Sequence, residues 1–175
     1  MSRPCLAALA VAQGCQPGEP AVNHAPVVVA MQPEPDVGRI EINLGDGCVP
    51  SETFLAERVE DADLDVLTVR YSLLLPRGAI GSKRESVREQ ELVPFDEPVD
   101  GRWYDFQTFQ LDGTRVNDLL GGDVSEQVNR PEGQLLELRI SDGGFQAGSD
   151  EAPEGAGTFY LSWPIKLTRV DCVAP

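Results

Sequence analysis

Asp61, Asp63 and Asp65 alternate through the segment Val59-Glu60-Asp61-Ala62-Asp63-Leu64-Asp65-Val66-Leu67-Thr68-Val69-Arg70-Tyr71. Oxygen ligands from neighbouring carboxylates are what a hard cation such as calcium takes. The same residues in a turn cap backbone N–H groups as Asx-turns. Counted from Asp61, an EF-hand loop would need Gly where Val66 stands and Glu where Ser72 stands. The structural turn is therefore the favoured reading and calcium the lesser one, with no other cofactor expected. A second constellation is Cys48 and Cys172, an even pair near the two ends of the chain. In an oxidising compartment such a pair is most simply a disulfide. It would close a loop of about 125 residues, worth about 5 kcal/mol in the chain-entropy account. Zinc is the rival, but two cysteines and His24, the sole histidine, fall short of four ligands.

Catalytic patterns are missing. The single histidine leaves little room for a Ser-His or Cys-His nucleophile. The chain contains no Gly-x-Ser-x-Gly, Ser-x-x-Lys or His-Glu-x-x-His. Gly121-Gly122 and Gly143-Gly144 are turn glycines rather than a phosphate cradle. Paired carboxylates mean nothing in a chain with 29 acidic residues, since any pair can be nominated. The expectation is that the protein is not an enzyme.

The elements that would position these residues follow from a 175-residue chain of net charge −15. That acidity repels nucleic-acid phosphate and anionic lipid head groups, so nucleic acid is not an expected partner. Met1-Ser2-Arg3-Pro4 is basic, Cys5–Ala12 is apolar, and Ala12-Gln13-Gly14-Cys15 ends the segment. This is the layout of a secretory signal of the bacterial lipoprotein kind, with Cys15 the lipidated residue and Cys5 lost. The box fits at its last two positions and poorly at its first two. A start upstream of Met1 would account for the short n- and h-regions. A soluble periplasmic protein with Cys15 unmodified is the alternative. Gln16, rather than Asp, follows the cysteine, which by resemblance to sorted lipoproteins implies the outer membrane. No run approaches the length of a transmembrane helix.

The expected organisation is a signal at 1–15, a Pro/Gly-rich tether at 16–25 and one domain at 26–175. Alternating or β-branched runs predict strands over Pro26–Met31, Gly38–Leu44, Thr53–Val59, Leu67–Leu75, Arg102–Leu111, Gln134–Ser141 and Thr158–Asp171. Pro164 would mark a bulge or an edge position. Pro76–Gly101 reads as loop with one edge strand or short irregular pieces. Arg115–Leu120 could form one helical turn, stopped by Gly121-Gly122. About seven short strands without βαβ alternation argue for an antiparallel Ig-like β-sandwich.

Three segments carry a resemblance. Asn23-His24-Ala25-Pro26-Val27-Val28 resembles the approach to the first strand of cadherin-like and PKD-like bacterial surface modules. Val59–Tyr71 is similar to their B–C turn and C strand, and Leu136-Glu137-Leu138-Arg139-Ile140-Ser141-Asp142-Gly143 to their F strand and its turn. Leu64 departs from the usual turn glycine, and Pro76–Gly101 is a long insertion. The resemblance implies an Ig-like lipoprotein module of a group mostly without known activity, with the Tyr71 ring packed between two sheets. The expected function is a lipid-anchored extracytoplasmic binding or adhesion module, facing an envelope protein or polysaccharide. Its candidate loops are Asp61–Asp65, Pro76–Gly101 and Asp142–Gly157. The alternative is a structural subunit of an envelope assembly, using a sheet edge or an exposed aromatic face at Tyr104 and Phe106. Trp103 and Trp163 are expected in the core.

Overall fold

The computed structural model describes residues 22–33, 38–45, 52–76, 82–111, 113–121, 127–128, 133–147, 149 and 151–170. The expectations for the 1–15 signal, Cys15, Cys48 and Cys172 lie outside the described residues. Within them the chain is mostly β and sandwich-like. The elements are β1 (Val27–Gln32), β2 (Ile40–Asn43), β3 (Glu52–Glu60), β4 (Leu67–Pro76), β5 (Ser82–Leu92), β6 (Phe109–Leu111), α1 (Gly113–Leu120), β7 (Leu135–Ser141) and β8 (Thr158–Thr168). One sheet runs β1-β3-β6 and the other β2-β8-β7-β4-β5.

The period-2 alternation of the central strands puts Leu67, Val69, Tyr71 and Leu73 of β4 and Leu136, Leu138 and Ile140 of β7 into one core. Trp163 of β8 joins them, fully buried. The two sheets meet at an aromatic cluster. The Tyr71 ring lies 4.4 Å from Phe109 and 6.1 Å from Phe54, and Phe54 meets Trp163 edge-on at 5.0 Å. Such tilted pairs add about 1 kcal/mol each beyond the area they bury. Tyr71 thus packs between the two sheets.

The first of four expectations stands and the others change. Pro76–Gly101 holds the one edge strand expected of it: β5 pairs with β4 over its whole length, from Leu67↔Leu92 to Pro76↔Ser82, with a register shift at Tyr71/Ser72. Its sequence, Ser-Lys-Arg-Glu-Ser-Val-Arg-Glu-Gln-Glu-Leu, buries only Val87 and Leu92. An edge strand needs a partner on one side only, and its charges discourage further pairing on the other. Next, only Phe109–Leu111 of the alternating Arg102–Leu111 run is a strand. The preceding backbone bonds locally instead, with Phe95 N donating to Trp103 O (2.8 Å) and a bridge between Val99 and Arg102. Tyr104 and Phe106 are buried, so no aromatic face is exposed there; Trp103 is half-buried against the core. Third, the sandwich is not wholly antiparallel, because β2 runs parallel to β8 from Ile40↔Ile165 to Asn43↔Thr168. Nearly the whole domain separates these strands, so no βαβ crossover is involved and local pattern could not announce the pairing. Lastly, β8 is an inner strand of its sheet. Its pairing with β2 begins at Ile165, one residue after Pro164, so the missing N–H falls where β8 has only β7 beside it.

Candidate binding site

The β3–β4 turn and the β7–β8 connection lie at one end of the sandwich, tied together by the chain that leads into β1. The Asp61 carboxylate accepts from Asp65 N (2.9 Å) through Oδ2 and from Asp63 N (3.3 Å) through Oδ1. This is the Asx-type capping that aspartate in a turn provides. Tyr104 closes over it, its hydroxyl donating to Asp65 O at 2.8 Å and lying 3.3 Å from Asp61 Oδ2. Burial pushes the Tyr104 phenol above its ordinary range, and the neighbouring Asp61 charge pushes it further. Asp63 turns away toward His24, accepting its N–H at 2.6 Å and meeting its ring nitrogen at 3.2 Å. The backbone bond from His24, and then the ring contact, hold the Asp63 carboxyl below its ordinary value.

The aspartate turn is thus occupied with its own backbone and with the incoming chain. The carboxylates of Asp61, Asp63 and Asp65 do not converge, and no group of three or more His, Cys, Asp or Glu side chains among the described residues is placed to hold a metal ion. Asn23 and His24 of the expected tether are part of this end of the domain. Asn23 Nδ2 donates to Gly155 O at 3.0 Å.

The β7–β8 connection is a wall with its own scaffold. Asp142 accepts the Gly157 N–H through both oxygens, at 2.8 and 2.9 Å. Gln146 N donates to Glu151 O (2.9 Å), Ser149 N to Gln146 O (3.0 Å) and Ala156 N to Pro153 O (3.1 Å). A side chain at Gly157 would run into the Asp142 carboxylate and come within 2.6 Å of Ala25 Cα, so the close approach there admits only glycine.

Between this wall and the solvent face of β7 and β8 lies a pocket of about 580 Å³. Arg139, Phe145, Glu151, Pro153, Thr158 and Tyr160 are among the residues that line it. The side chains that matter stand in one cross-strand row. Glu89, Arg70, Arg139 and Tyr160 are register partners across β5, β4, β7 and β8. Arg70 Nε donates to Glu89 Oε2 at 2.6 Å and Arg70 Nη1 to Ser149 O at 2.7 Å. Its guanidinium sits 4.4 Å from the centre of the Phe145 ring, which fixes the wall to the sheet. Arg139 lies over the Tyr160 ring at 5.4 Å.

One row further along, Glu137 is a carboxylate whose side chain is only 3% exposed on this outer face. It accepts Arg84 Nε at 2.7 Å and the Tyr160 hydroxyl at 2.8 Å, with Arg139 Nη2 at 3.8 Å. Partial burial, and then the hydrogen bond to Glu137, hold the Tyr160 phenol above its ordinary value, so its hydroxyl is a donor at neutral pH. Tyr160 is nevertheless 51% exposed, the one aromatic side chain standing so far into solvent among the described residues.

Of the three loops expected to bind, Asp142–Gly157 lines this pocket, Asp61–Asp65 is at the same end of the sandwich, and Pro76–Gly101 contributes the edge strand β5. Arg139 and Tyr160 belong to no motif that marks them in the sequence. The signal they carry is positional: Phe159 and Tyr160 are adjacent in a strand, so period 2 sends only one of them into the core. No protein-family model matches this chain, and no curated protein and no solved structure matches it either.

Proposed function

We propose that the protein is a non-catalytic binding module of the cell envelope, carried on a lipid at Cys15, with its ligand site in the pocket beside Tyr160. The observation that carries this reading is the preordered outward Tyr160 ring, held from behind by Glu137 and Arg139 and faced by a hydrogen-bonded wall. An aromatic ring beside a few convergent polar groups at a formed pocket is the lining that small-molecule sites use. The fold is of the Ig-like kind. Strand order β8-β7-β4-β5 set against β1-β3-β6 corresponds to G-F-C-C′ against A-B-E, with Tyr71 in the C-strand aromatic position. In that frame the pocket wall is the F–G loop and the aspartate turn the B–C loop, the end where variable-type Ig domains carry their binding loops.

Export is supported by the sequence of the first fifteen residues and by the cysteine pair. Asn43 holds Val170 with two hydrogen bonds of 2.9 Å each, and β2 and β8 run in the same direction from that point. Cys48 and Cys172 follow Asn43 and Thr168 by five and four residues in sequence. Expression of the full chain in a host with two membranes tests the reading. Labelled palmitate is incorporated by the parent and not by Cys15→Ala, and the Cys15→Ala form, with no lipid to hold it, sediments with isolated envelopes in a Tyr160-dependent manner. No palmitate uptake, or sedimentation of the soluble Cys15→Ala form that survives Tyr160→Ala unchanged, overturns it.

A second reading is a subunit of an envelope assembly. Edge strand β1 favours it, because Val-Val-Val-Ala-Met-Gln holds no charge and exposes Val27 and Val29, whereas edge strand β5 is densely charged. A defined oligomer in solution that Val29→Lys dissociates supports this reading; a monomer at all concentrations removes it.

A further inference from the structure

The chemistry of the pocket points to one class of ligand, on the reading that the pocket is the ligand site. Its floor presents an aromatic face that is electron-rich, and its rim presents Glu151 and Thr158. The basic groups beside it lie against carboxylates: Arg70 against Glu89, and Arg84 and Arg139 both against Glu137. The net charge of −15 over the whole chain outweighs the single local excess of positive charge and works against phosphate, a nucleotide or an anionic lipid. Arg139, on the sheet side of the pocket, opposes a cationic guest. A purely apolar guest would take Glu151 and Thr158 out of water without giving them partners. What fits is an uncharged molecule with one apolar face and a ring of hydroxyls.

We propose that this pocket binds a neutral saccharide, with the C–H face of a sugar ring laid on Tyr160 and its hydroxyls bonded by Glu151 and Thr158. The partially positive C–H bonds of such a face meet the negative face of the phenol ring. Tyr160 loses little freedom on binding, because its hydroxyl is already tied to Glu137 and its ring already packed by Arg139. The Phe145 wall is likewise in place, fixed by Arg70. Peptide recognition is the less suitable chemistry. It calls for a deep apolar anchor pocket or a free strand edge, and the site lies on the face of inner strands β7 and β8.

Native electrophoresis of the detergent-extracted full chain through gels cast with soluble β-glucan, mannan, galactan or xylan, and with alginate as an anionic comparison, tests the assignment. The expected result is retardation by at least one neutral polymer and none by alginate. Tyr160→Ala should weaken that retardation about tenfold, the loss of roughly 1.4 kcal/mol of stacking. Tyr160→Phe, which keeps the ring, should stay close to the parent, and Glu151→Ala should weaken binding with the fold intact. Tyr160→Ala and Tyr160→Phe both lose the hydroxyl bond to Glu137, so a difference in binding between them, with the melting temperature of each variant recorded, separates the lost ring from lost structure. Absence of retardation in all four neutral gels, stronger retardation in alginate, or indifference to both Tyr160→Ala and Glu151→Ala overturns the proposal. Envelope sedimentation of the Cys15→Ala form that depends on Tyr160 without any polysaccharide retardation removes the saccharide and leaves the pocket reading standing. Sedimentation of that form indifferent to Tyr160, together with no Tyr160-dependent retardation, removes both.

Discussion

Leu64 occupies a left-handed backbone conformation, φ +55°, at the tip of the aspartate turn. For a residue with a Cβ that region costs roughly 1 kcal/mol or more, which is why a glycine is usual there. Leu64→Gly is expected to melt at or above the parent temperature, the relief of strain offsetting the greater freedom of glycine in the unfolded chain. Leu64→Val should melt lower, by about 1 kcal/mol, because β-branched side chains fit this region worst. Thermal melts of the pair, read as an order, check the assignment. The neighbouring Asp63 gives a pH prediction. Its carboxyl is held below the ordinary 3.8 by the His24 backbone N–H. The contribution of that bond is therefore complete above pH 3.8 and is lost as pH falls through the lower folded value. The His24 amide resonance should follow this titration, with a midpoint below 3.8, and Asp63→Asn should abolish the step. Neither effect needed more than the Asp-x-Asp-x-Asp motif to anticipate a turn. The partners needed the fold, since His24 and Tyr104 are remote from the motif in sequence.

Strands β7 and β8 show how an element's buried face and its working face are decided separately. Leu136, Leu138 and Ile140 assign the core side of β7 from alternation alone, which leaves Glu137 and Arg139 outward. Alternation says nothing of how dry the outward side is. Glu137 is almost fully buried there because Arg84, Arg139 and Tyr160 close over it from three different strands. Removing a carboxylate from such a group leaves Arg84 and Arg139 with their compensating charge gone. Glu137→Ala is expected to destabilise the fold by about 3 kcal/mol in chemical denaturation. An exposed acid such as Glu91 should be within about 0.5 kcal/mol of the parent when replaced by Ala. β5 makes the complementary point. Its eleven residues carry little core signal, and its strand character comes from the ladder that β4 offers it. A strand held by its neighbour rather than by its own apolar face is poorly legible in advance.

The whole molecule joins its second and last strands. β2 and β8 pair in parallel, and Asn43 braces Val170, so two segments far apart in the chain share one end of the sheet. Protein recovered from the periplasmic side is expected to be 2 Da lighter than its reduced form and to resist alkylation at Cys48 and Cys172 until reduced. Because that closure spans most of the domain, reduction should lower the melting temperature clearly, in line with the few kcal/mol that long-loop disulfides contribute. Free thiols in the exported protein would remove the pairing.

Composition and local order were sufficient for much of this. The alternation of Leu67–Leu75 and Gln134–Ser141 determined that β4 and β7 are strands and which of their side chains are core, because the period of a strand is written in adjacent residues; Thr158–Asp171 was legible as a strand without its faces. The Asp61–Asp65 spacing determined a capped turn for the same local reason. What only the tertiary structure decided was everything set by residues remote in the chain: the parallel β2–β8 pair, the burial of Tyr104 and Phe106, and the row that brings Arg139 and Tyr160 to one pocket with Arg70 and Glu89 next to them in register. Cross-strand register brings those side chains together, and register depends on which strands become neighbours, a choice made by burial of the whole core.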